Sequence, residues 1–264
     1  MGNILNIAVA QSPADLVGPQ ARLDWLAGCL ARLDGQEVDL LLLPELFLTG
    51  YNIGDRVADW AEPLDGPSAK VIADLAYRHN IAIHYGFAER AGDRIHNAAA
   101  CVDRNGNLLA NHRKLLLPPG FEGDHFHPGT GYTLFEIDGI KAATLICYDA
   151  EFPETFRAVA EAGVELVLVP TALGAQWGVV ANAVIPARAF ENGIYVCYAN
   201  SCGHENGMDF FGGSCIIAPN GQALARAGNG EELLCAQASK AAVSAAQARL
   251  PYLADRLRLP KPSG

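Results

Sequence analysis

Three residues have the types and positions that suit nucleophilic attack on a carbonyl group: a thiol at Cys147, a carboxylate at Glu45 and an ammonium at Lys114. Cys147 stands in Thr144-Leu-Ile-Cys-Tyr-Asp-Ala-Glu-Phe-Pro-Glu154. The apolar run Ile140–Ile146 ahead of it reads as a buried strand, and Pro153 suits the first turn of a helix reaching about Ala162. A thiol at such a strand-to-helix corner is presented at the end of a sheet. There the turn amides and the positive helix end are expected to favour a thiolate or an oxyanion. A cysteine closing an apolar run is also commonly a small buried hydrophobe, so position alone leaves both readings open.

Glu45 follows Pro44 at the end of another apolar run, Val38–Leu43, where α/β folds place ligands and catalysis. A lone glutamate there also serves as a helix cap or a solvated loop acid. The apolar Leu46, Phe47 and Leu48 just beyond it point to burial, which raises a carboxylate's pKa and makes it a usable base. Lys114 lies in His112-Arg-Lys-Leu-Leu-Leu-Pro118. It either snorkels outward or, held in place, stabilises negative charge developing on a carbonyl oxygen. All three residues stand where a strand gives out.

The elements that must position them follow from periodicity. Leu5–Gln11 reads as a short strand. Arg22–Leu33 has apolar residues at Leu23, Leu26, Ala27, Leu30 and Leu33, the spacing of an amphipathic helix. A second helix is expected over Ser68–His79, with a strand at Ile81–Phe87. Arg104-Asn-Gly-Asn107 then marks a hairpin between Asn97–Asp103 and Leu108–His112. The second half repeats the scheme: Val164-Glu-Leu-Val-Leu-Val-Pro-Thr171 mirrors Val38-Asp-Leu-Leu-Leu-Leu-Pro-Glu45 nearly residue for residue. A helix over Val179–Glu191, a strand at Ile194–Ala199, and a hairpin of Gly213–Ala218 with Gln222–Ala227 about Pro219-Asn-Gly221 complete it. The tail from Ala238 is expected to be a surface helix with a loose end. Residues 1–264 read as one α/β domain of two similar halves, with mixed sheets faced by helices.

Composition narrows the function. A net charge of −10 over 264 residues argues against nucleic acid and against an anionic membrane surface, both of which need a basic face. No apolar run reaches the ~18–20 residues of a membrane span, and the N-terminus carries no charged-then-apolar signal. Seven scattered cysteines fit reduced thiols in the cytoplasm.

Together, Pro44-Glu-Leu-Phe-Leu-Thr-Gly-Tyr51, His112-Arg-Lys-Leu-Leu-Leu-Pro118 and Cys147-Tyr-Asp-Ala-Glu-Phe-Pro-Glu154 resemble the three signature blocks of the nitrilase superfamily of carbon–nitrogen hydrolases. Arg188-Ala-Phe-Glu-Asn192 and Tyr198-Ala-Asn200 extend the resemblance over nearly the whole chain. Within the superfamily the likeness runs to bacterial aliphatic amidases, notably 5-aminopentanamidase. The resemblance implies a four-layer αββα sandwich of two mixed sheets with internal pseudo-two-fold similarity, assembled as a homodimer or larger homo-oligomer. It implies no metal or organic cofactor. It makes Cys147 the nucleophile, Glu45 the general base and Lys114 the cation that polarises the carbonyl. Glu122, six residues before Pro128-Gly129, is the second glutamate, orienting Lys114 or the substrate. Two stretches depart from the family pattern: Leu117-Pro-Pro-Gly120 replaces an aromatic-rich segment, and His96 precedes Asn97 where a tyrosine is usual.

The implied reaction hydrolyses a small aliphatic amide, with an ω-amino amide such as 5-aminopentanamide favoured. Carbamoyl-amine or nitrile hydrolysis by the same residues is the alternative, and a catalytically silent interaction module the reading from another class. Tyr148 offers a backbone N–H to the oxyanion, and Tyr51, Glu151 and Trp177 are assigned to the substrate pocket. Between Asp149 and Glu151, one anchors the helix or meets a substrate ammonium, and sequence does not choose. His125, His127, Cys202 and His204 lack the companion motifs of a metal site. Cys29 and Cys101 read as core, and Arg188 with Glu191 as an ion pair on one helix.

Overall fold

The computed structural model describes residues 4–260. The first half of the chain builds β1 (Ile4–Gln11), α1 (Gly18–Ala31), β2 (Leu40–Leu42), the single turn α2 (Val57–Trp60), α3 (Pro67–His79), β3 (Ala82–Ala91), β4 (Arg94–Val102) and β5 (Leu108–Arg113). The short α4 (Phe121–His125) leads into β6 (Leu134–Ile137), β7 (Ile140–Thr144), α5 (Pro153–Glu161), β8 (Leu166–Pro170), α6 (Ile185–Asn192) and β9 (Tyr195–Ala199). The chain continues through β10 (Cys202–Glu205), β11 (Met208–Phe211), β12 (Cys215–Ile217), β13 (Ala223–Arg226) and β14 (Glu232–Ser239), then α7 (Lys240–Arg249) and α8 (Tyr252–Asp255).

Two six-stranded sheets result, in the orders β14-β1-β2-β3-β4-β5 and β6-β7-β8-β9-β12-β13. In each, the second, third and fourth strands run parallel and the outer ones pair antiparallel. The two halves therefore share one topology, with β2 equivalent to β8. Alternation along the strands decides which side each residue serves. Leu40 and Leu42 meet Leu166 and Leu168 in a core between the sheets. Leu41 and Leu43 face α1 and α3 instead, and Val167 and Val169 face α5 and α6. The layering is αββα. The four covering helices each carry proline in the first turn; in α1, α3 and α5 its missing N–H has no helical partner to lose, while α6, with Pro186, directly follows a π-turn.

Some elements were not legible in the periodicity. β14 has only Leu233 and Leu234 as large apolar residues, and its place beside β1 is set by pairing from Ile4–Ser239 to Gln11–Glu232. The tail helix accordingly starts after this strand, at Lys240, and the expected loose end lies partly outside the described residues. The helix expected over Val179–Glu191 is a π-turn at Val180–Val184 followed by α6. Among the described residues no helix is long and apolar enough to cross a membrane.

Candidate active site

Glu45, Lys114, Glu122 and Cys147 converge at one end of the two sheets. Glu45 lies just past β2, and its turn packs against β3 so closely that a Cβ on Gly86 would come within 2.5 Å of both the Pro44 carbonyl and the Leu46 amide. Leu46 adopts φ +47° and Cys147 φ +46°. Non-glycine residues there cost on the order of 1–3 kcal/mol, held only where the surroundings over-determine them. Lys114 directly follows β5; its N–H donates to the Asn97 carbonyl (2.8 Å) and its carbonyl accepts from Gly129 (2.7 Å).

The Lys114 ammonium is fully buried and donates to Glu45 Oε1 at 2.7 Å and Glu122 Oε1 at 2.6 Å. Asn97 Nδ2 donates to the same Glu45 oxygen (2.7 Å) and to Glu122 Oε2 (3.1 Å), and the Tyr51 hydroxyl donates to Glu122 Oε1 (2.7 Å). Glu45 Oε2 is buried with no partner. One oxygen of Glu45 is thus pinned by two donors while the other has no hydrogen-bond partner among the described residues. Burial raises the Glu45 pKa to about 7, with Lys114 opposing and Glu122 reinforcing the rise. Lys114 is raised despite burial, because two carboxylates and the thiol surround it.

Cys147 is partly exposed and interacts electrostatically with Glu45, Lys114 and Glu122, and the Thr171 side chain acts to lower its pKa. The expectation that turn amides and a helix end hold a thiolate is corrected here. Burial first, and then Glu45, push the Cys147 thiol well up, with Lys114 and Thr171 opposing. The physical reason is distance along the chain: Cys147–Glu151 form a 3₁₀ turn, and α5 starts only at Pro153.

A cavity of about 330 Å³ opens onto the cluster, lined by Tyr51, Glu122, Cys147, Tyr148, Glu151 and Trp177, with Pro118, Leu173 and Met208 as apolar wall. The departing Leu117-Pro-Pro-Gly120 stretch contributes to that wall. Trp177 is 57% exposed at the rim. Glu151 is partly buried, its pKa raised by burial against the pull of Lys114, and its carboxylate has no hydrogen bond or ion pair among the described residues. Asp149 does the anchoring: its buried carboxylate accepts from the amides of Ile146 (3.3 Å), Leu115 (3.2 Å) and Leu116 (2.8 Å). Arg188 is paired with Glu191 at 3.1 Å and also donates to the Glu151 carbonyl at 2.7 Å, tying α6 to the Cys147 turn.

Sequence reasoning missed Thr171, although its mirror relation to Glu45 was visible. Asn97 enters the sequence reading as the start of a hairpin strand and beside the His96 departure, with no role at the site. His96 Nδ1 lies 2.8 Å from the His127 carbonyl oxygen, at the edge of the cluster.

Comparison with known proteins shows the family. The carbon-nitrogen hydrolase family model matches residues 6–248. A protein from Pseudomonas protegens described as "Hydrolase in pqqF 5'region" is 44% identical over 247 residues, covering 92% of this chain and 85% of the relative. An (R)-stereoselective amidase from a Pseudomonas species is 35% identical, covering 83% of this chain and 80% of its own. A mutant of the amidase from Nesterenkonia sp. AN1, solved with the product of Michael addition of acrylamide at its active-site cysteine, superposes with a TM-score of 0.84 at 33% identity, covering 97% of this chain and 100% of that one. The chain belongs to the carbon–nitrogen hydrolase family, the nitrilase superfamily, and is a hydrolase of carbon–nitrogen bonds.

Proposed function

We propose that the chain is an amidase that hydrolyses a small aliphatic ω-amino amide, of the 5-aminopentanamide kind, to a carboxylate and ammonia through a thioester on Cys147. The observation that carries this reading is the buried Oε2 of Glu45, without a hydrogen-bond partner among the described residues, in the cluster that holds the Cys147 thiol. Glu45 takes the Cys147 proton as the sulfur attacks the amide carbon. The oxyanion is held by the Lys114 ammonium and the Tyr148 N–H. Glu45 then passes the proton to the leaving nitrogen, so that ammonia departs and the thioester remains. Water, deprotonated by the same carboxylate, attacks the thioester; the acid is released and the thiol restored. Glu122 keeps Lys114 charged and oriented throughout.

The preference for an amino group at the far end is supported by Glu151, a carboxylate on the cavity wall with no counter-charge of its own. The cavity volume fits a molecule of this size with room for bound water. A homodimer in the cytoplasm is part of the same proposal. The exposed apolar Phe190, Tyr252, Leu257 and Leu259 along α6 and the tail support the association, and the seven free cysteines support the compartment.

The test is ammonia release from 5-aminopentanamide and from pentanamide. Cys147→Ala is expected to abolish both while leaving the fold intact, and undiminished release would refute the scheme. Glu151→Gln is expected to raise KM about tenfold for the amino amide and leave pentanamide unchanged. An equal effect on both substrates would remove the cationic preference.

A further inference from the structure

The β10–β11 hairpin belongs to neither main sheet: its strands pair with each other and touch the rest of the backbone ladder only at the single bridges Pro13–Cys202 and Gly174–Phe210. It nevertheless carries a buried carboxylate, Glu205, 7% exposed, against the guanidinium of Arg22, 2% exposed, at 3.2 Å. The same Arg22 nitrogen donates to the Ala14 carbonyl at 2.9 Å. The other oxygen of Glu205 accepts from two successive backbone amides, Tyr51 at 2.9 Å and Asn52 at 2.6 Å. Gly50, at φ +90°, makes this approach possible, since a Cβ there would lie 2.2 Å from Glu205 Oε1.

A buried ion pair of this kind adds little net stability over an apolar pair, because desolvating both charges offsets their attraction. What it does supply is fixed geometry, and what it fixes is Tyr51. The phenol of that residue donates to Glu122 Oε1, the same oxygen that receives Lys114. From β11, Phe210 meets the Tyr51 ring nearly edge-on, with centroids 6.5 Å apart.

We infer that Glu205, held by Arg22, is a positioning residue for the acid–base cluster, acting through Tyr51 on Glu122. The inference rests on the amidase reading above for the role of Glu122. With Glu205 neutral, the two amides lose a charged acceptor and the loop carrying Tyr51 loosens. The hydroxyl then leaves Glu122, so that Lys114 is shared unevenly between its two carboxylates.

The experiment compares the full chain with Glu205→Gln, Tyr51→Phe and the double variant. Two readouts are taken: kcat and KM for ammonia release from 5-aminopentanamide, and the pH dependence of Cys147 alkylation by iodoacetamide, followed by peptide mass. Each single change is expected to lower kcat about tenfold, with KM moved less than about threefold, and to shift the alkylation profile in the same direction. The double variant is expected to match Tyr51→Phe alone, because the tyrosine hydroxyl is the route of the effect. Effects that multiply to about a hundredfold in the double variant would overturn the inference, as would a Glu205→Gln protein altered only in its melting temperature. If stranding Arg22 prevents folding, Arg22→Met/Glu205→Gln removes both charges and is compared with and without Tyr51→Phe. Failure of that pair to fold makes the ion pair a folding requirement and overturns the positioning role. A wild-type protein that alkylates at Cys147 but hydrolyses no amide would sink the amidase reading, while the alkylation comparison still judges this one.

Discussion

The backbone N–H of Glu45 donates to the carbonyl of Thr171 at 3.4 Å, and these two residues hold the same position in the two halves of the chain. Each follows a proline at the end of the middle parallel strand of its sheet, β2 in one case and β8 in the other. Where the strand ends meet, one half brings a carboxylate and the other a hydroxyl that acts to lower the pKa of the Cys147 thiol. The repeated architecture thus delivers two different side chains to one place.

Thr171→Val tests the hydroxyl's share. Thr171 opposes the upward push on the thiol, so its loss is expected to make Cys147 harder to deprotonate. Iodoacetamide alkylation moves to higher pH and kcat falls about tenfold. The Tyr198 hydroxyl, 3.2 Å from Thr171 Oγ1, loses a buried partner as well, so the melting temperature drops by a few degrees.

The pH–rate profile follows from Glu45. Its pKa is raised to about 7, and below that value the carboxyl holds a proton and cannot accept the one on sulfur. Activity is expected to rise with pH through about 7. Asn97 holds the Glu45 pKa down through its hydrogen bond, so Asn97→Ala shifts the acidic limb of kcat/KM to higher pH. A limb that stays in place would exclude Glu45 as the base.

Asp149→Asn replaces a buried carboxylate that accepts three backbone amides by a group with a donor face. One amide at least is left unpaired, at a cost of about 1–3 kcal/mol. Because Leu115 and Leu116 are among the three, Lys114 loses its tie to the Cys147 turn. Denaturant unfolding and kcat are expected to fall together, in contrast to Cys147→Ala, which spares stability.

Gly86→Ala places a methyl group against the Pro44 carbonyl and the Leu46 amide. The Glu45 turn has to shift by several tenths of an ångström, while the core around β3 is unchanged. Expected is a loss of kcat of tenfold or more, since misplacement by ~1 Å costs on the order of a hundredfold. A fully active Gly86→Ala protein would show that Glu45 tolerates displacement.

The sequence by itself determined the parts that depend on local patterning. Apolar runs ending at Glu45, Thr171 and Cys147, Pro153 at a helix start and the Asn-Gly hairpins are all short-range signals, and the duplicated run before Pro44 and Pro170 disclosed the two similar halves. The resemblance to the nitrilase superfamily also pointed to Glu45, Lys114, Glu122 and Cys147 in three separate segments. Only the tertiary structure decided what those segments do to one another. That Lys114 bridges Glu45 and Glu122 and that Glu45 keeps one free oxygen depend on contacts that reach from Glu45 to residues more than fifty positions away. So do the fate of Asp149, which anchors backbone while Glu151 is left facing the cavity, and the raised pKa of the thiol. Periodicity records which face of an element is apolar; it carries nothing about which polar groups from distant elements share a buried space. β14 and the β10–β11 hairpin escaped for the same reason, since their places come from pairing and a buried ion pair and not from their own composition.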